Sequence, residues 1–183
     1  MSLKVFLNGG HAPNGVPDPG CCNYELGLKE AIVAQNITNL VDYYLTNAGV
    51  EVVGNYQSNS LYDVVSTAND TDADIFISIH CNGFNGQAKG TEVCVYPNSK
   101  VGHMLGECIQ NQIVSSLDTV DRGIKERVPG VNGLYVLSNT DMPAVLVETA
   151  FIDNYEDGIK LRDRADDFAR AIARGVTDYQ NMI

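Results

Sequence analysis

Short apolar runs alternate with amphipathic stretches along most of the chain. Apolar runs bounded by turn residues are typical of strands that helices cover on both faces. Apolar side chains that recur every three or four positions predict helices between these runs. We therefore predict an α/β fold, a single domain with a mostly parallel or mixed central sheet of about six strands covered by helices on both faces. The predicted strands are residues 3–7, 50–53, 75–79, 91–96, 134–137 and 144–148, and the predicted helices are residues 30–47, 61–68, 101–115 and 161–179.

The composition indicates one folded domain, residues 1–183. Hydrophobic residues make up 44% and charged residues 19% of the chain, which is typical of a globular protein. No run approaches the length of a membrane span, so we expect no membrane insertion. The net charge of −11 has no basic stripe within it and would repel a phosphate backbone, which argues against nucleic acid as a partner. We expect a monomer.

The cysteine pattern indicates reduced thiols. The five cysteines form no CxxC pair, and an odd number cannot pair fully within one chain. Cys94 and Cys108 lie among apolar neighbours, as small core residues do, whereas Cys21 and Cys22 lie in a loop and are candidates for reaction.

Three polar residues lie at or just after the ends of apolar runs. These are His11, His80 and Glu148. Because ligands of α/β sheets gather beyond the carboxyl ends of strands, we expect the three side chains to lie close together. Two imidazoles and a carboxylate are the ligand set of a catalytic zinc, although mononuclear iron accepts the same donors. Position alone leaves a structural, hydrogen-bonded role equally open for the two histidines.

A second candidate carboxylate, Glu30, lies on the apolar face of the first predicted helix. Glu30 shares the face of Ile37 and lies in the first turn, near the end of the first strand. There it could bind a metal ion or only complement the helix dipole. Glu25 is the competing ligand.

Glu148 follows four apolar residues, so burial should raise its pKa and suit it to act as a general base. The alternative is a buried ion pair with Arg122 or Lys125. A serine nucleophile at Ser78 is poorly supported, because no GxSxG turn accompanies it. Cys81 is the more plausible nucleophile.

Seven segments resemble those of the zinc-dependent N-acetylmuramoyl-L-alanine amidases of the amidase_3 type. The resemblance spans nearly the whole chain, and the ISIHxN and PAVLVExxFIxN segments are specific to it. The segments are residues 8–11 (NGGH), 18–20 (DPG), 27–30 (GLKE), 68–69 (AN), 73–82 (ADIFISIHCN), 122–125 (RGIK) and 143–154 (PAVLVETAFIDN).

This resemblance implies a hydrolase that cleaves the amide between N-acetylmuramic acid and L-alanine in bacterial peptidoglycan. It implies that His11, Glu30 and His80 bind Zn²⁺ and that Glu148 is the catalytic acid/base. The match of the GLKE segment selects Glu30 over Glu25. Substrate-orienting roles follow for Asn82 and Arg122, with a structural role as the alternative for Arg122. Another zinc peptidase or amide hydrolase with the same site, or a non-catalytic cell-wall-binding module, is the alternative reading of the function.

The resemblance also implies action at the bacterial cell wall, as an endolysin, an autolysin or a sporulation enzyme. Residues 1–4 lead directly into the first predicted strand and leave no room for a signal peptide. We therefore expect either cytoplasmic synthesis with lysin-type release or an excised domain of a secreted protein.

Overall fold

A computed structural model describes residues 2–183. Eight strands and six helices lie within this range, together with one 3₁₀ turn. The strands are β1 (Lys4–Gly9), β2 (Cys22–Asn23), β3 (Leu28–Lys29), β4 (Glu51–Asn55), β5 (Ile75–Asn82), β6 (Thr91–Val95), β7 (Asp121–Glu126) and β8 (Ala144–Phe151). The helices are α1 (Glu30–Asn47), α2 (Leu61–Asn69), α3 (Lys100–Leu117), α4 (Tyr135–Asn139), α5 (Tyr155–Asp163) and α6 (Ala165–Gln180).

Six strands form the central sheet in the order β4-β1-β5-β8-β6-β7. The first four of these run parallel to one another, and β6 runs parallel to β7. The β8–β6 pair is antiparallel, so the sheet is mixed. The carboxyl ends of β1, β5 and β8 therefore meet the amino end of β6 at one edge. This sheet confirms the predicted α/β fold.

Helices cover both faces of the sheet, as predicted. On one face α1, α3 and α6 pack together over inward side chains such as Ile77 and Val147. The shorter α2 and α4 cover the other face over the stacked rings of Phe6 and Phe76. Consecutive residues of a strand point to opposite faces, so His80 and Glu148 share the face that α2 and α4 cover. Within residues 2–183, no helix is both long and apolar enough to cross a bilayer.

The predicted strand at residues 134–137 is wrong. Residues 135–137 begin α4, where Val136 and Leu137 pack on the sheet beside Phe6 and Phe76. A run of four apolar residues fits a buried helical turn as well as a strand, and periodicity cannot separate them. The sixth strand of the sheet is instead β7, which the apolar pattern missed because an edge strand can be half-exposed and charged.

The predicted terminal helix, residues 161–179, is two helices. α5 ends at Asp163 and α6 begins at Ala165, with the backbone of Arg164 outside the helical region between them. The apolar stripe of α6 was predicted correctly, because Phe168 and Ile172 are fully buried. The earlier start of α5 follows from Asn154, whose side chain caps the first turn.

Gly175 lets α6 approach α3 closely. A Cβ added there would lie 2.5 Å from the Cα of Ile109, so the backbones of the two helices would have to move apart. We expect Gly175→Ala to destabilise the fold by ~1–3 kcal/mol, despite the better helix propensity of alanine. Urea unfolding measures this change, with Arg174→Ala on the exposed side of the same turn as the control. An unchanged midpoint for Gly175→Ala would show that the helices separate without cost.

Candidate metal centre

His11 reaches the carboxyl edge of the sheet two residues after β1 ends. Its backbone adopts φ 65°, a left-handed conformation that is uncommon outside glycine and frequent at functional sites. The ring nitrogen Nδ1 lies 2.8 Å from an Asp18 carboxylate oxygen, and Nε2 lies 3.0 Å from Glu30 Oε1. Burial lowers the pKa of His11, but the two carboxylates outweigh it and raise the pKa to about 9. His11 is therefore held in one orientation by groups on both sides of its ring.

Glu30 is the first residue of α1 and is only 3% exposed. Its Oε2 accepts a hydrogen bond from the backbone N–H of Cys21 at 2.9 Å, and Oε1 accepts one from the backbone N–H of Cys81 at 3.1 Å. The Nδ1 atom of His80 lies 3.0 Å from the same Oε1. Burial raises the pKa of Glu30, but the contacts with His11 and His80 prevail and lower it. The carboxylate is thus fixed between two imidazoles.

His11, Glu30 and His80 each offer a donor atom, and these atoms all lie within 4.8 Å of one another. Two nitrogens and a carboxylate oxygen are the donors of catalytic zinc sites that keep a fourth position open. Asp18 supplies the outer carboxylate that often orients a metal-binding histidine. The donor set therefore fits Zn²⁺.

Glu148 lies on β8 directly opposite His80 of β5 and Glu92 of β6. Residues paired in this way point to the same face, so the carboxylate of Glu148 belongs beside the three donors. Its Oε2 is buried and has no hydrogen-bond partner among residues 2–183. Burial raises the pKa of Glu148, the charge of His80 and, more weakly, that of Arg127 lower it, and the Glu30 and Glu92 charges raise it, so that the pKa is about 7. A carboxyl group with a pKa near 7 can both accept and release a proton near neutral pH.

The ion pair that the sequence offered as an alternative role for Glu148 forms at Glu92 instead. Arg122 Nε lies 2.8 Å from Glu92 Oε2, and an Arg127 nitrogen lies 3.2 Å from Glu92 Oε1. The Arg122 guanidinium also lies 4.8 Å from the centre of the Phe151 ring. Sequence reasoning missed the pairing of Glu92 with Arg122 and Arg127, because the strand that pairs with β6, β7, was not recognised. Because Arg122 and Arg127 bind Glu92, Glu148 forms no ion pair among residues 2–183.

The other sequence candidates have different surroundings. Glu25 is exposed in the turn between β2 and β3, whereas Glu30 is buried at the site. Cys81 is buried and burial raises its thiol pKa well above its usual range, which disfavours a nucleophilic thiolate. Ser78 is fully buried and donates a hydrogen bond to Asn8. Asn82 accepts a hydrogen bond from the backbone N–H of Gly83, at the start of the next loop.

Gly20 completes the loop that carries Asp18. Its φ of 66° is left-handed, and an added Cβ would lie 2.5 Å from Glu30 Oε2 and 2.6 Å from the His11 ring. Its backbone N–H donates to Asp18 Oδ1 at 3.0 Å. The segment Asp18-Pro19-Gly20 thus fits tightly against the donors. The role of Asp18 could have been found from its place in this motif, seven residues after His11.

Asp18 should strengthen metal binding through His11. We expect Asp18→Asn to lower zinc affinity by about 10–100-fold, because the amide holds the imidazole less firmly and makes it less basic. Competition with a chromophoric chelator measures the affinity. The matched control is Glu25→Gln, which removes an exposed carboxylate from a neighbouring turn. Equal affinities for the two variants would contradict an orienting role for Asp18.

Comparison with known proteins gives these residues a family context. A family model described as N-acetylmuramoyl-L-alanine amidase matches residues 5–178. An uncharacterized cell wall amidase of Bacillus anthracis is 40% identical over 148 residues, which are 74% of this chain and 26% of that protein. The endolysin of Bacillus phage SPP1 is 31% identical over 191 aligned positions, covering 100% of this chain and 68% of that protein.

Solved structures show the same architecture. The crystal structure of an N-acetylmuramoyl-L-alanine amidase from Clostridium difficile 630 superposes with a TM-score of 0.87 at 28% identity, covering 98% of this chain and 97% of that one. Among the sequence relatives, by contrast, the chain spans about a quarter of the Bacillus anthracis protein and about two thirds of the phage endolysin.

Proposed function

Because this chain belongs to the N-acetylmuramoyl-L-alanine amidase family, we propose that it hydrolyses the amide between N-acetylmuramic acid and L-alanine in bacterial peptidoglycan. The observation that carries this proposal is the group of three donors, His11, Glu30 and His80, beside the partly buried Glu148, whose buried Oε2 has no hydrogen-bond partner among residues 2–183. A pure binding module has no need of such a carboxylate. The activity would serve an endolysin, an autolysin or a sporulation enzyme.

His11, Glu30 and His80 would hold one Zn²⁺ ion. When bound there, the ion would polarise the amide carbonyl and make a water molecule more acidic. Asp18 keeps the His11 ring in the orientation that presents Nε2 to the site. The backbone N–H groups that bind Glu30 fix its carboxylate in the same way, so the donors need little rearrangement.

Glu148 would move the proton. As a carboxylate it would take a proton from the attacking water, and as the resulting carboxylic acid it would deliver that proton to the alanine nitrogen as the C–N bond breaks. Both transfers use one side chain, so no covalent intermediate with the protein is needed. Asn82 and Arg122 remain the candidates for orienting the substrate. Arg122 would act from its ion pair with Glu92.

The site of action would be the bacterial cell wall, with peptidoglycan as the partner. The net charge of −11 supports a protein that does not bind nucleic acid. We propose that the chain acts as a monomer, because the proposed donors and the acid/base all come from one chain.

Analysis of digested peptidoglycan tests this function. The zinc-loaded protein should release peptides with new L-alanine amino termini and glycan strands with intact lactyl groups, without new reducing ends. Mass spectrometry and amino-terminal labelling together identify the broken bond. New termini within the stem peptide would indicate a peptidase with the same site. Binding to the wall without any cleavage would indicate a non-catalytic module.

A further inference from the structure

Gln57 connects two backbone segments that carry metal donors. It lies in the loop between β4 and α2, and its side-chain Nε2 donates hydrogen bonds to the carbonyl oxygens of Gly10 at 2.8 Å and Ala31 at 2.9 Å. Gly10 is the residue before His11, and Ala31 is the residue after Glu30. An amide NH₂ group has two hydrogens, and both acceptors are carbonyls, so the two bonds fix the orientation of the amide and use its full donor capacity.

The carbonyl of Gly10 lies where the pairing of β1 with its neighbour stops. The N–H of Gly10 still donates to the carbonyl of Ile79 at 2.9 Å, but His11 then turns away with a left-handed φ of 65°. A Cβ added at Gly10 would lie 2.2 Å from the His80 ring, so this backbone packs directly against a second proposed donor. Gln57 therefore holds a peptide unit that touches one histidine and leads into the other.

Buried polar residues of β1 and β5 hold the segment that carries Gln57. Ser78 donates a hydrogen bond to Asn8 Oδ1 at 2.6 Å, and Asn8 Nδ2 donates one to the carbonyl of Tyr56 at 2.8 Å. The backbone N–H of Tyr56 donates to the carbonyl of Leu7 at 3.0 Å. Ser78 is fully buried and Asn8 is only 4% exposed, at positions that apolar residues usually occupy. These bonds fix the backbone immediately before Gln57.

We propose that Gln57 is a positioning residue for the metal donors, and this proposal rests on the metal centre of the function proposed above. The carboxamide of Gln57 holds the backbone segments of His11 and Glu30 together, so the donor atoms are in place before the ion binds. Donors that the fold already holds lose less conformational freedom on binding, which increases the affinity for the metal. An apolar side chain of the same length cannot supply either hydrogen bond.

The zinc affinities of two variants test the proposal. Gln57→Met keeps the length of the side chain without a donor, and Gln57→Leu removes the donor with a different shape. Competition with a chromophoric chelator should show zinc affinity about tenfold lower than wild type in both variants. Gln87→Met, at an exposed position in the loop between β5 and β6, is the matched control and should bind zinc as wild type does.

Further measurements separate positioning from other roles. Urea unfolding of the metal-free proteins reports what the two hydrogen bonds contribute to the fold. If Gln57→Met binds zinc as tightly as wild type, whatever its unfolding midpoint, the proposal is overturned and the proposed function stands. At full zinc occupancy the KM for peptidoglycan should stay within about twofold of wild type, and a larger rise would make Gln57 a substrate contact instead. A wild-type protein that binds no zinc would overturn both the proposal and the metal centre on which it rests.

Discussion

Glu148→Gln should lower the rate of amide hydrolysis by at least ~10³-fold while the bound zinc is retained. Glutamine preserves the shape of the side chain but cannot accept and return the proton. The three proposed metal ligands are untouched, so metal content should equal that of the wild type. Hydrolysis of peptidoglycan and metal analysis of the same sample measure the two quantities. Glu107→Gln, an exposed carboxylate on α3, is the matched control and should change neither.

The same substitution should stabilise the metal-free protein at alkaline pH. Because the folded pKa of Glu148 is raised to about 7 from an ordinary value of 4.5, the folded state binds more protons than the unfolded state between these values. The stability of the wild type should therefore fall as pH rises from about 4.5 through 7. Glutamine stays neutral, so the variant should be more stable by ~1–3 kcal/mol at pH 8 and show little difference at pH 4. Thermal unfolding in the presence of chelator at pH 4 and pH 8 measures the difference in stability between the variant and the wild type. A variant less stable than the wild type at pH 8 would mean that Glu148 is a paired structural charge.

Glu30→Gln should have the other large effect, which is loss of the metal itself. A neutral amide is a weaker zinc ligand than a carboxylate. Glutamine also has one acceptor oxygen where the backbone N–H groups of Cys21 and Cys81 now bind two. We expect purified Glu30→Gln to hold less than about a tenth of the wild-type zinc and to show no measurable hydrolysis.

The metal-free Glu30→Gln protein should also be less stable than metal-free wild type by ~1–3 kcal/mol, because one buried N–H is left facing an amide NH₂ group. Glu148→Gln serves as the comparison, since it should lose activity but keep metal. Full zinc occupancy in Glu30→Gln would remove Glu30 from the proposed ligand set and reopen the role of the other carboxylates.

The apolar pattern predicted the sheet correctly where strands are buried. The strands that carry His80 and Glu148 were located from their runs, although each continues beyond the predicted end. Glu30 was placed on the inward face of α1 by helical spacing, and it is buried there. These features depend on local sequence, so a single sequence contains the information.

The features that were missed depend on partners distant in sequence. β7 is an edge strand whose exposed, charged residues leave no apolar signal, and so the pairing of Glu92 with Arg122 and Arg127 was not foreseen. The contact between Asp18 and His11 also lies outside what periodicity can show, because both residues lie in an irregular loop. The cleft beside His11 and His80 is lined by the first residues of α2 and α4, which are distant in sequence and meet only through tertiary packing.

The rate of hydrolysis as a function of zinc added to the chelator-stripped protein tests the proposed site most directly. New L-alanine amino termini released from peptidoglycan report the rate, and metal analysis reports the occupancy. If His11, Glu30 and His80 hold one ion that works with Glu148, the stripped protein should be inactive and the rate should rise linearly to a plateau at one zinc per chain. Full activity in the stripped protein, or a plateau at two or more zinc ions per chain, would contradict a single-metal amidase centre.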